Sequence, residues 1–182
     1  MKKTFFLIGL LLIQWSVQAQ NVFLVKKSLV KFTSDASLEM IEAQSTKLEG
    51  VIKTDDRSFV FRSPMNTFDG FNSALQKTHF NTNYLETAKN PYTVFEGKII
   101  EEVDFSKPGK YMVRGKGVFT CHGVEQERII KCNLVISEKS IQITSDFTVL
   151  LDDHNIKIPS VVNQKIAEEI IISLNLELAT NK

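Results

Sequence analysis

From residue 20 onward, apolar and polar residues alternate with a period of two along almost the whole chain, and no other feature restricts its fold so tightly. Successive side chains of a β-strand point to opposite faces, so this pattern commits each segment to a strand with one buried face. In the last segment Ile170, Ile172, Leu174, Leu176 and Leu178 alternate with Glu169, Ile171, Ser173, Asn175 and Glu177, which leaves one face wholly aliphatic. The same reading predicts strands over 22–32, 36–44, 46–54, 57–65, 93–104, 111–121, 124–136, 141–151 and 170–178, some eight or nine in all. Several of these runs exceed the usual five or six residues, and long, tilted strands suit a closed barrel. The expected class is therefore all-β, an antiparallel barrel of about eight strands.

Turn chemistry separates the runs. His122-Gly123 fits a two-residue hairpin turn in which both central residues take positive φ, a geometry that glycine accepts freely and histidine more readily than most. That turn sets Cys121 opposite Val124 and Cys132 opposite Val113. Turns are also expected at Thr54–Arg57, Ser106–Gly109 and Ser137–Ser140. Two segments break the alternation. From Phe71 to Tyr84 the residues Phe71, Leu75 and Phe80 fall near helical spacing, with Asn72 or Ser73 able to cap the start. Pro159-Ser160 opens a second short helix over Val161 to Glu168, with Val162 and Ile166 on one face. No repeat or linker divides the chain, so a single domain over 20–182 is expected.

The first 19 residues have the layout of a secretory signal: Lys2 and Lys3, an apolar run from Phe5 to Ile13, then Val17-Gln18-Ala19 before the cleavage point. The run falls short of the ~20 residues that cross a bilayer. Removing the signal leaves 20 basic against 21 acidic residues. That balance gives no reason to expect nucleic acid or an anionic membrane as partner. Eleven of the 13 Phe residues stay in the mature part, whereas the only Trp leaves, which points to a dry, weakly hydrogen-bonding interior. Export invites a disulfide between Cys121 and Cys132. The hairpin register places them about eight rungs apart, on the order of 25 Å at ~3.4 Å per residue, so two free thiols are expected.

Phe59, Phe61, Phe95, Phe119 and Phe147 fall on the inward face, together with Ile99, Val113, Ile130 and Leu134. Such a face forms a core; closed into eight strands, it is either filled or holds one small ligand. Gly97, Gly115 and Gly117 share that face, and they either leave space in the lumen or bend the strands at a barrel corner. Alternation also places Arg128 inward, where it could meet an anionic head group, unless a bulge turns it out. Of the three histidines, His122 belongs to a turn, His154 sits in a polar connection after Asp152 and Asp153, and His79 lies in the interrupting helix. They do not form a metal motif. Neither a nucleophile motif nor a phosphate loop is apparent, so the expected role is not enzymatic and no cofactor is expected.

In order and spacing, Phe59-Val-Phe61 with Ser63-Pro64-Met65, His79-Phe80-Asn81 with Asn83-Tyr84, and Pro91 with Thr93-Val94-Phe95-Glu96-Gly97 resemble the YceI-like family of exported, lipocalin-like proteins. Gly115-Lys-Gly117, His122-Gly123-Val124, Asp146-Phe147 and Ile156-Lys157-Ile158-Pro159 continue the likeness, which spans about residues 45–178. The resemblance implies a lipocalin-like barrel around an elongated apolar cavity. It further implies binding of a long-tailed amphiphile such as a polyprenyl phosphate, an isoprenoid quinone or a fatty-acid-like lipid, and a periplasmic or secreted location. On that basis the cavity wall is expected from Phe59, Phe61, Phe95, Gly97, Ile99, Val113, Gly115, Gly117, Phe119, Ile130, Leu134 and Phe147. The mouth or cap is expected from His79, Asn83, Tyr84 and Arg128. Many members open with a Trp-containing first strand and a His-Ser-like element, and residues 21–35 carry neither. The alternative reading is an interaction protein with a filled barrel that binds another exported protein. The second predicts no continuous lumen, so the two differ on whether the five Phe side chains meet at the barrel axis.

Overall fold

The computed structural model describes residues 22–180; the signal expected over 1–19 lies outside them. Nine strand segments run in chain order: β1 (Val22–Asp35), β2 (Met40–Ser45), β3 (Glu49–Lys53), β4 (Ser58–Pro64), β5 (Tyr92–Ile99), β6 (Gly109–Cys121), β7 (Val124–Ile136), β8 (Ser140–Leu150) and β9 (Glu169–Thr180). Each ladder is antiparallel, neighbours follow in order from β3 to β9, and β1 pairs with β9 to close the ring. Closure into a ring leaves open edge only where ladders stop short, between β7 and β8 and along β2.

Nine segments make an eight-stranded barrel because β2 and β3 are one interrupted strand. β1 pairs Asp35 with Met40 and Val30 with Ser45, then Leu24 with Val51 and Val22 with Lys53, all in a single unbroken register. The interruption frees β2 from β4. After Pro64 the chain makes a single 3-10 turn, Met65–Thr67, and then runs back along β2. There Gln44 and Asp69 exchange both backbone bonds, and the Ser45 and Thr67 hydroxyls lie 2.6 Å apart.

The β6–β7 hairpin follows its sequence signals. His122 and Gly123 take φ of 50° and 73°, Cys121 pairs with Val124 and Cys132 with Val113, and both thiols are free. The helical expectations are trimmed. Ser73 caps α1 (Ala74–His79) by accepting from Gln76 N, but Phe71 stays outside the helix. Residues Phe80–Tyr84 continue as a π turn, in which Leu85 N donates to Phe80 O. The helix expected over Val161 to Glu168 is only a 3-10 turn, Ser160–Val162, and the turn that follows it.

Two apolar clusters stack along the barrel. At the end where β6 begins and β7 finishes, Ile52, Val113, Leu134, Ile141, Leu176 and Leu178 are sealed from solvent and close the floor. At the other end Phe32, Met65, Phe68, Leu85 and Val149 pack under the non-strand segments. Phe32 stacks on Phe80 at 5.3 Å, and Phe71 meets Phe80 at 5.1 Å. These rings hold the α1 segment across the open end of the barrel, since aromatic pairs add to the area they bury.

Candidate ligand-binding cavity

Between the two clusters lies a cavity of about 420 Å³ with an almost wholly apolar wall, within the range of small-molecule sites. The five inward rings form its spine. Phe61 stacks on Phe59 at 5.7 Å, Phe59 meets Phe95 at 4.9 Å, Phe95 meets Phe119 at 6.3 Å and Phe119 meets Phe147 at 6.2 Å. Phe61, Phe95 and Phe147 face inward yet are only half-buried, because they border open space instead of other side chains. The five rings touch in sequence along β4, β5, β6 and β8, and all of them line the open space.

Of the residues expected on the wall, Phe59, Phe61, Phe95, Ile99, Gly115, Phe119, Ile130, Leu134 and Phe147 line this cavity. Three do not. Val113 is inward but too low, sealed in the floor at 1% exposure. Gly97 and Gly117 sit opposite each other on β5 and β6 and are not on the cavity wall. A Cβ on Gly117 would fall onto the Glu96 carbonyl oxygen, 2.8 Å from Gly97 Cα, and one on Gly97 would fall onto Lys116 O, 2.6 Å from Gly117 Cα. The strands approach there as closely as only glycine permits. Gly115 differs, since its missing side chain makes room for the Phe59 ring, whose Cζ lies 3.0 Å from where a Cβ would stand.

Of the expected cap residues, His79 at the end of α1 and Tyr84 in the π turn reach the cavity. Asn83 does not; it is exposed, and its side-chain oxygen accepts from Thr82 Oγ1 at 2.7 Å. Arg128 is also absent from the wall, and no bulge turns it out, because β6 and β7 stay in register through Gly117 and Arg128. It closes a seam instead. The β7–β8 ladder covers only Asn133–Ile136 against Ile141–Thr144. Beyond it, side chains stitch the strands: Ser145 Oγ donates to Lys131 O at 2.6 Å, Arg128 Nη2 to Thr148 O at 2.7 Å and Gln126 Nε2 to Asp153 O at 2.8 Å. A guanidinium suits this work because its charge strengthens a bond to a carbonyl.

The wall contributed by β1 and β9, including Phe32, Ile172 and Leu174, was missing from the expected site. Their alternation was plain, but only closure through the β1–β9 ladder brings them opposite Phe95 and Phe119. The wall turns polar where Glu39, Gln76, His79 and Lys165 meet it, between the β1–β2 hairpin, α1 and the 160–166 turn. Gln76 Nε2 donates to Glu39 Oε1 at 2.7 Å, and Leu38 N donates to Gln164 O at 2.9 Å. Those bonds frame the mouth.

Burial pushes both thiols up, Cys132 to about 11, so neither is a thiolate near neutral pH. Among the described residues no group of three or more His, Cys, Asp or Glu could hold a metal ion, and no helix is long and apolar enough to cross a membrane.

His154, expected in a polar connection, is completely buried. Its Nδ1 lies 3.1 Å from Val124 O, which fixes that nitrogen as the donor, and its ring stands edge-on to Phe119 at 5.4 Å. Nε2 has no partner. Burial holds the imidazole below the ordinary value of 6.5, so the unfolded chain takes up this proton more readily than the fold does. Stability therefore falls as pH drops below about 6.5. Between pH 7 and 5 the melting temperature should decline, and His154→Asn should flatten that slope. The lowered carboxylates of Glu42 and Glu86 act only in a more acid range.

A search of curated proteins finds no match to the chain. Among solved structures, a polyisoprenoid binding domain from Saccharophagus degradans implicated in plant cell wall breakdown superposes with a TM-score of 0.75 at 14% identity, covering 89% of this chain and 99% of that one. BcnA of Burkholderia cenocepacia gives 0.68 at 14% identity, covering 82% of this chain and 95% of its own. The YceI protein of Campylobacter jejuni gives 0.56 at 10% identity with full coverage of both. These likenesses establish a shared fold. The YceI-like domain profile matches residues 19–178, and the chain belongs to the YceI-like family.

Proposed function

We propose that this protein is an exported, non-enzymatic carrier that holds a long-chain isoprenoid or similar lipid inside its barrel. The single observation that carries the reading is the apolar lumen of about 420 Å³, ringed by phenyl groups and closed at one end. The Saccharophagus domain, described as polyisoprenoid binding, supports the ligand class. The signal-like sequence of residues 1–19 supports export.

Tail length decides affinity. Each buried methylene contributes about 0.8 kcal/mol, so a fifteen-carbon chain offers roughly 12 kcal/mol before an association cost of about 4–15 kcal/mol. Short amphiphiles should therefore bind feebly. Thermal denaturation with added isoprenoid alcohols of ten, fifteen and twenty carbons tests this: melting temperature should rise with chain length until the lumen is full. Native mass spectrometry of protein purified from its own compartment should show a bound lipid. No shift with any chain, and no bound lipid, would sink the proposal.

A further inference from the structure

We propose that Ser63 and Thr93 form a hydrogen-bonding subsite in the cavity wall for the oxygen of an uncharged group, a carbonyl or an alcohol, and not for a phosphate. This rests on the carrier reading and sharpens it, because it names which polar group the barrel accepts inside.

Ser63 on β4 and Thr93 on β5 are paired in register and both line the cavity. Ser63 is 7% exposed and its hydroxyl has no hydrogen-bond partner among the described residues, while the Thr93 hydroxyl has none there beyond the Cys121 thiol, a weak one. The other serines of the wall are already committed. Ser34 Oγ accepts from Ala167 N at 2.9 Å, and Ser145 Oγ donates to Lys131 O at 2.6 Å. Buried hydroxyls are nearly always satisfied, so an unpartnered one beside another held only by a thiol, on one stripe of an apolar wall, marks a place where something else supplies the bond. Each hydroxyl can donate to a carbonyl oxygen or exchange donor and acceptor roles with an alcohol.

Charge decides what that group is. An anion buried among phenyl rings needs a cation or several strong donors. The ionisable side chains on the wall apart from the raised thiols and the Tyr84 phenol are Glu39, His79 and Lys165. All three belong to the hairpin, the helix and the turn that frame the mouth, and none to β4 or β5. The Cys121 thiol, the neighbour of Thr93, is pushed up by burial and stays neutral. A neutral oxygen fits these surroundings, whereas a phosphate would have to stay at the mouth.

The test compares three probes with one tail, farnesol, farnesane and farnesyl phosphate, on the wild-type protein and on Ser63→Ala/Thr93→Val. Expected is a roughly tenfold loss of farnesol affinity in the double variant, with farnesane and the phosphate unchanged within about twofold. The unliganded melting temperature should hold or rise, since the variant removes one unsatisfied hydroxyl and one whose protein partner is only a thiol. Parallel changes for farnesol and farnesane, or a selective loss for the phosphate, overturn the subsite while leaving the carrier reading intact. A clear fall in the unliganded melting temperature shows the hydroxyls to be structural, and also overturns it. If the wild-type protein binds none of the three, the carrier reading fails and the subsite goes with it.

Discussion

Replacing Gly117 with alanine is expected to cost about 3 kcal/mol of stability, the upper end for overpacking, and to lower the melting temperature by roughly 6–12 °C for a chain of this size. The reason is what the new methyl group would meet. At Gly117 it falls on the carbonyl of Glu96, part of the backbone of the neighbouring strand, with the Cα of the facing Gly97 2.8 Å away. Backbone cannot rotate away as a side chain can, so relief requires the β5–β6 ladder to separate. Gly115→Ala is the control. There the methyl meets the edge of the Phe59 ring at 3.0 Å. The ring borders open space and can tilt, so the cost should be about 1 kcal/mol. Equal losses in the two variants, measured by thermal or urea denaturation, would refute the account of the pinch.

Ile172→Trp should separate binding from folding. Ile172 lies on β9 opposite Phe147, on the wall of the lumen. An indole there takes up the room of about two to three methylenes of ligand. At about 0.8 kcal/mol for each, affinity for a chain that fills the lumen should drop roughly 15- to 60-fold. Unliganded stability should not fall, because the ring enters space that lacks packing partners and gains dispersion contacts there. A barrel already filled by its own side chains would respond in the opposite way: the indole would overpack it, and stability would fall by about 1–3 kcal/mol. Binding isotherms with the fifteen-carbon alcohol and a melting curve on the same preparation decide between the two.

The local devices were legible because each is written into a few neighbouring residues. His122-Gly123 fixed a hairpin turn and with it thirteen rungs of register between β6 and β7. That register was enough to keep Cys121 and Cys132 apart. Ser73 capped the helix that α1 became. Alternation also put the five Phe side chains on the inner face, and that is why most of the expected wall lines the cavity.

Alternation names a face but not a height along the barrel axis. Val113 and Phe119 share one face of one strand, yet strand tilt puts the first in the sealed floor and the second beside the lumen. Nor can alternation say where ladders stop. The short β7–β8 ladder leaves backbone groups that Arg128, Ser145 and Gln126 must meet, so an arginine on the inner face became a stitch in the wall. Gly97 and Gly117 read as opening space or bending the strands at a corner, and only the position of the neighbouring backbone revealed the close approach that they permit. His154 looked solvated beside two aspartates, but the fold carried it under Val124 and Phe119.

The sequence by itself determined that this chain forms long antiparallel strands with one aliphatic and phenyl face, interrupted by a capped helix, because period-two patterning and turn residues act locally. Only the tertiary structure decided that β2 and β3 act as one strand, that β9 closes on β1 and that the inner face encloses about 420 Å³ of open space instead of a solid core. Those outcomes depend on how strands far apart in the chain tilt and pair around a common axis. It also set Ser63, its hydroxyl unpartnered, beside Thr93, since the register that joins two strands is a property of the pair and not of either run of residues.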